Sequence, residues 1–211
     1  VTYARRTAAD PTSIGLSTLV IAIASCALYA RILVELAATS MRLFWITLGP
    51  ILLLAVLTGL AVLFHWRRRS DEVDQPVVTR NPADLRVAMA FGLVYAGVLW
   101  LMAAAKTYLG VSSLFTIAGL SGLTDLDAVT LSTSRLVNAD HVDATLGCRL
   151  IMVAILSNLL FKIGAAGLFG GQTLARRLCG MFAPTIIAAA AVAVFGHLLD
   201  SIDQAWLSAA G

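Results

Sequence analysis

Charge is what this chain has least of. Only 13% of its 211 residues are Asp, Glu, Lys or Arg, while 59% are hydrophobic, and a soluble globular domain carries about a quarter charged residues. With a mean hydropathy of +0.88, that balance excludes a soluble domain and reads as a polytopic membrane protein. The net charge of +3 does not argue for a nucleic-acid partner, because the arginines gather at the ends of apolar runs, where they signal topology. Cysteine is scarce too. Cys26, Cys148 and Cys179 lie far apart without paired spacing, which gives neither a disulfide framework nor a metal motif. His65, His141 and His197 form no ligand pattern with them, so a zinc site has no support. No Gly-rich phosphate loop and no nucleophile motif occurs, so neither an enzyme nor a bound cofactor is expected.

What the chain does have is apolar length. Runs long enough to cross a bilayer extend from Ile14 to about Leu36, Phe44 to Trp66, about Val87 to Tyr108, about Leu146 to Phe169 and about Met181 to Leu199. Helix starts are marked by Asp10-Pro11 and Asn81-Pro82, a cap followed by proline at the first helical position, and by Asp140 with Asp143 in the turn that follows. Arg67-Arg68-Arg69 stops the second run, and Arg176-Arg177 is expected in the loop before the last. The fold expectation is all-α: about five full transmembrane helices plus one broken or re-entrant helical segment, 111–136, in a single membrane domain spanning 1–211. The implied setting is a multi-pass protein of the bacterial inner membrane, with the lipid bilayer as its main partner.

That broken segment, VSSLFTIAGLSGLTDLDAVTLSTSRL, is where chemistry is expected. Lipid offers no partner to a free backbone N–H or C=O, so Gly119-Leu120-Ser121-Gly122 is tolerable only against protein or a polar cavity. A carboxylate in hydrocarbon costs about 2.5 to 3.5 kcal/mol even on a lenient scale. Asp125 and Asp127 should therefore face an ion, a base or water, and are the candidate metal ligands, although Thr124 or Asp125 could equally cap the second half-helix. Ser121, Gly122, Thr124 and Thr130 would add neutral oxygens. Thr124, Asp127, Thr130 and Ser134 follow at steps of three, three and four, which is one helical face. Lys162 lies deep in its run with Asn158 one turn earlier, and an inward pairing with Asp125 or Asp127 is expected. Arg31 either pairs with Glu35 at an interface or turns inward to hold a carboxylate or an anionic substrate.

A faint internal repeat runs through the chain. Val1-Thr2 matches Val129-Thr130, Ala9-Asp10 matches Ala139-Asp140, Arg31 falls near Lys162, and His65 matches His197, at offsets of 128 to 132. The halves are 1–66 and 129–199, with 81–128 between them, and the chain is expected to be the C-terminal part of a longer protein. The stretches NPADLRVAMAFGLVYAG, GLSGLTDLDAVTLS and ILSNLLFKIG resemble the C-terminal membrane domain, of unknown function, of MgtC/SapB-type proteins, over most of residues 13–199. The resemblance carries over to Asn81, Pro82, Gly122, Asp125, Asp127, Thr130, Asn158, Lys162 and, in the earlier copy, Arg31. It implies a link with magnesium physiology without establishing transport.

Two functions are consistent with these residues. The first is a transporter or ion-conducting protein with an Asp/Lys site at the helix break, for a cation such as Mg2+ or coupled to protons. The second is a membrane scaffold, in a homo-oligomer or with the remainder of the same polypeptide, whose Asp/Lys network fixes packing. Counting bases on either side does not reveal whether 111–136 crosses or dips and returns, since both arrangements leave nine inside and four outside.

Overall fold

The computed structural model describes residues 14–68 and 114–196, together with residues 89 and 96. The expected span from Val87 to Tyr108, the starts at Asp10-Pro11 and Asn81-Pro82, and the closing stretch beyond Gly196 lie outside the described residues. Within them the protein is all helical: α1 (Ile14–Thr39), α2 (Met41–Arg68), α3 (Leu114–Gly122), α4 (Leu126–Asn138), α5 (Ala144–Gly170) and α6 (Gln172–Phe195).

Four of these helices, α1, α2, α5 and α6, are long and apolar enough to cross a membrane. Their apolar residues run all round, so that Tyr29, Ile32, Ile151 and Phe182 fill the core while Val34 (70% exposed) and Leu168 (76%) point outward. A helix that stays apolar on its outer face belongs in lipid. Where helices meet, small residues such as Ala22, Ala154 and Ala189 are fully buried and let backbones approach. Hydroxyls join them: Thr58 and Thr185 lie 3.0 Å apart between α2 and α6, and Tyr29 of α1 reaches Thr58 at 3.5 Å.

The long helices form two hairpins, each turned by a single residue. Ser40 N–H donates to Leu36 O (2.8 Å) and Ser40 O accepts from Phe44 N–H (2.9 Å), so the joint leaves its own backbone groups satisfied. Gly171, at φ 86 and ψ 164, makes the second turn in a conformation that L side chains rarely adopt. The hairpins run in opposite senses. Leu43, next to the Ser40 turn, lies against Gly147 near the start of α5, whereas Ser25, well up α1, meets Lys162 well along α5. The Ser40 turn thus marks one end of the bundle and the Gly171 turn the other.

Between them α3 and α4 form a broken pair whose outer ends both lie at the Ser40 end. Phe115 of α3 sits under the Arg149 guanidinium at 5.3 Å, and Val137 of α4 packs beside Gly147. The break itself meets Ala154 and Asn158, near the midpoint of the 27-residue α5. The segment goes in and comes back along one side of α5.

Two boundaries differ from the sequence expectation. The last span does not begin at Met181: α6 starts at Gln172, and Arg176-Arg177 belongs to its first turns rather than to a loop. Both arginines are exposed, and such long side chains can carry their charge out to the interface while the backbone stays helical. Pro184 is consequently interior to α6. The start of α5 is capped by Asp143, whose carboxylate accepts from Leu146 N–H at 2.9 Å, and not by Asp140. Asp140 instead takes a left-handed φ of 53 in the turn and pairs with Arg42 at 3.3 Å.

Candidate functional site

The break is built from backbone groups that find partners close by. Ser121 O accepts from Thr124 N–H (3.1 Å) and Asp125 N–H (2.8 Å), and Leu120 O accepts from Leu123 N–H (3.3 Å), which turns the chain out of α3. Thr124 is part of that turn and not of the helical face expected for it; its hydroxyl also donates to Ser121 O at 3.3 Å. Gly122 O is taken by Asn158 Nδ2, 3.3 Å away across the interface with α5. Gly122 can stand there only because it has no side chain: a Cβ would lie 2.5 Å from both Cα and O of Ala154.

Asp125 is extended (φ −145, ψ 98) and caps α4, its carboxylate accepting from Ala128 N–H at 3.0 Å. It is exposed, and capping is the role its geometry displays. Thr130 is fully buried and spends its hydroxyl proton on Leu126 O (2.9 Å). Ser134, one turn on, lies 3.0 Å from the Thr39 hydroxyl of α1, and Asn138 Nδ2 donates to Thr39 O at 2.7 Å. The polar face of α4 is therefore the seam against α1.

Charge concentrates where that seam reaches the break. Arg31 of α1 binds Asp127, in the first turn of α4, through Nη2, and its Nε lies 3.4 Å from Glu35. Arg31 thus pairs with Glu35 and also reaches the Asp127 carboxylate, with its own side chain 62% exposed rather than turned into the bundle. The Glu35 carboxyl faces that of Asp127 within hydrogen-bond reach, and Glu35 Oε2 is a buried acceptor without a partner among the described residues. Two carboxylates share one guanidinium. Such a cluster carries one excess negative charge when both acids are ionised, and the orphaned oxygen is where a proton or a small cation would be welcome.

Lys162 does not join this cluster. The expected ion pair with Asp125 or Asp127 is replaced by a hydrogen bond from Nζ to Ser25 Oγ of α1, at 3.0 Å. The reason is geometric. Asp127 follows the break back toward the Ser40 end, whereas Lys162 lies one turn beyond Asn158 toward the Gly171 end, and Arg31 has already taken the carboxylate. Asp125 and Asp127 have separate duties, and among the described residues no three His, Cys, Asp or Glu side chains converge as a metal cage. Sequence reasoning left out Glu35, Thr39 and Ser25 as site residues. A signal for Glu35 was available, since no other carboxylate occurs within the five expected apolar spans.

With that geometry in place, kinship can be read. Residues 1–170 match the family model described as a domain of unknown function, DUF4010. The chain belongs to the DUF4010 family. An uncharacterized protein of Aquifex aeolicus (strain VF5) is 31% identical over 121 residues, which cover 57% of this chain and 53% of that relative. The chain thus spans about half the length of the curated relative it matches. No solved structure matches. The matched region takes in α1 to α5 entire, with the broken pair and every site residue named above, and stops short of α6. Neither match carries the MgtC/SapB name that the sequence resemblance suggested.

Proposed function

We propose that this DUF4010 chain is the membrane core of a secondary transporter or ion-conducting protein, working at the Arg31, Glu35 and Asp127 cluster beside the helix break. The observation that carries the proposal is a buried carboxylate oxygen, Glu35 Oε2, left without a partner among the described residues beside a second carboxylate. Intramembrane acids of this kind mark ion or proton paths. The scheme is an exchange of partners. With Arg31 on Asp127, Glu35 can take up a proton or a monovalent cation; release of Arg31 from Asp127 would open the second carboxylate. Magnesium, suggested by the MgtC/SapB resemblance, fits only with Arg31 displaced, because the guanidinium cancels the charge a divalent ion needs.

The architecture supports transport. The two hairpins are joined at Ser40 and Gly171, 171 − 40 = 131 residues apart, and Arg31 and Lys162 have the same separation, 162 − 31 = 131. That offset lies within the range of the sequence matches, and the hairpins run in opposite senses, as in inverted repeats that place a site near the bilayer midplane. The α3–α4 pair is then a re-entrant hairpin. Arg67, Arg68, Arg176 and Arg177 gather at the Gly171 end, which the positive-inside rule assigns to the cytoplasm, so the hairpin dips in from the opposite face.

A scaffold is the second reading, favoured by the purely structural duties of Asp125, Gly122 and Asn158. Flux separates the two. Purified protein in liposomes is challenged with gradients of H+, Na+, K+ and Mg2+; Glu35→Gln and Asp127→Asn should each cut the active flux at least about tenfold while the protein stays folded. If wild type moves none of these ions, or both variants match it, the transport reading fails and the scaffold stands.

A further inference from the structure

Among the described residues Lys162 is a base with no acid. Its ammonium donates to Ser25 Oγ at 3.0 Å, and Ser25 spends its own proton on Ile21 O at 2.9 Å, so Lys162 has two further N–H bonds to place. No carboxylate among the described residues pairs with it. Nor does the sequence supply one nearby along the chain, since no Asp or Glu occurs between Asp84 and Asp125, or from Ala144 to Leu199. An uncompensated ammonium among apolar helices costs several kcal/mol.

The first hairpin supplies a precedent for what fills the vacancy in charge. Arg31 and Lys162 each stand nine residues before their one-residue turn (40 − 31 = 9; 171 − 162 = 9). Arg31 at its position binds a carboxylate, that of Asp127. We propose that Lys162 and Ser25 form a second binding site, for a carboxylate, equivalent by the inverted repeat to the place Asp127 occupies at Arg31. The inference rests on the repeat invoked above, and it makes the transported solute of the proposed carrier a carboxylate anion moving with the charge taken up at Glu35 and Asp127. The same chemistry could come from a free solute or from an acidic side chain on a second copy of this chain.

The test is thermal unfolding of the purified protein in detergent, with sodium acetate as the probe against sodium chloride at equal ionic strength, and with molecular mass measured in parallel. Acetate should raise the Tm of wild type and Lys162→Arg by at least about 2 °C, and Lys162→Met should lose that rise. If acetate has no effect but wild type and Lys162→Arg are dimers and Lys162→Met is a monomer, the carboxylate comes from the second copy and the site stands. An acetate response retained by Lys162→Met overturns the proposal, as does the absence of both an acetate response and a Lys162-dependent dimer. Because binding is read without flux, a protein that moves no ion yet responds to acetate through Lys162 would refute the transport reading and leave this site in place.

Discussion

Two glycines three residues apart on α3 should respond oppositely to the same substitution. At Gly122 a Cβ would stand 2.5 Å from both Cα and O of Ala154, and 2.8 Å from its carbonyl carbon. These are backbone atoms in the middle of a long helix, which cannot swing aside as the end of a side chain can. Ordinary contact begins at 3.4 Å, so Gly122→Ala must push α3 off α5 by most of an ångström. The Asn158 bond to Gly122 O, 3.3 Å at rest, would then stretch beyond hydrogen-bond length. Overpacking of this kind costs about 1–3 kcal/mol, and the orphaned carbonyl adds about 1 kcal/mol. At Gly119 the new methyl meets Ser157 Oγ at 3.4 Å and Val153 Cγ1 at 3.5 Å, which is ordinary contact. There the gain in helix propensity of about 0.5–1 kcal/mol decides the sign. Reversible unfolding in mixed micelles, titrated with a denaturing detergent, should rank Gly119→Ala at or above wild type and Gly122→Ala at least about 2 kcal/mol below it. A Gly122→Ala protein as stable as wild type would refute the close approach of the break to α5, and with it the placement of the site.

Other consequences can be measured on the same preparation. Asn158→Leu removes the only donor to Gly122 O among the described residues and should cost about 1–2 kcal/mol in the same titration; an unchanged midpoint would mean that the carbonyl finds another partner. Asp125→Ala deletes the cap of α4 and should cost about 1 kcal/mol, while Asp125→Ser restores most of it. In liposomes both variants should keep the flux that Asp127→Asn loses; abolition of flux by Asp125→Ser would make Asp125 a ligand rather than a cap. In a background with Cys26, Cys148 and Cys179 replaced, a cysteine at Asp140 should react with a membrane-impermeant maleimide from outside intact cells and one at Gln172 only after lysis; the reverse pattern would invert the orientation assigned to the hairpin.

Much of the membrane architecture was legible in the sequence because hydrocarbon imposes it through composition. Twenty-odd apolar residues declare a span whatever they pack against, so the central parts of α1, α2, α5 and α6 could be read directly. The beginning of α6 could not. Arginines are polar by type, yet Arg176 and Arg177 stay helical with their side chains exposed, and no composition rule distinguishes that from a loop. That a break occurs was legible for a related reason, since Gly119, Ser121 and Gly122 are out of place in an apolar run, but its position was not: residues 119–122 form the last turn of α3 and the chain breaks after them, at 123–125. What they touch was not legible either. That Gly122 is pressed on Ala154, and that Arg31 rather than Lys162 holds Asp127, depends on which helix lies beside which, 96 residues away in the case of the ion pair.

The direction of the broken segment shows why long-range contacts had to settle it. Residues 114–138 hold two short helices of nine and thirteen residues, about 13 and 20 Å long at 1.5 Å per residue. Laid end to end they would just cross a bilayer core of about 30 Å; folded back they would reach its middle. Charge does not choose, because moving Arg135 and Arg149 to one face moves Arg176 and Arg177 to the other. The choice falls to two contacts made by opposite ends of the segment: Phe115 under Arg149, and Val137 beside Gly147. Arg149 and Gly147 are two residues apart on α5, so ends that a crossing would separate by the membrane's thickness lie together. The carboxylate at the head of α4 is consequently held beside the middle of α5, where Arg31 becomes its partner, while Lys162, farther toward the Gly171 end, binds Ser25 instead.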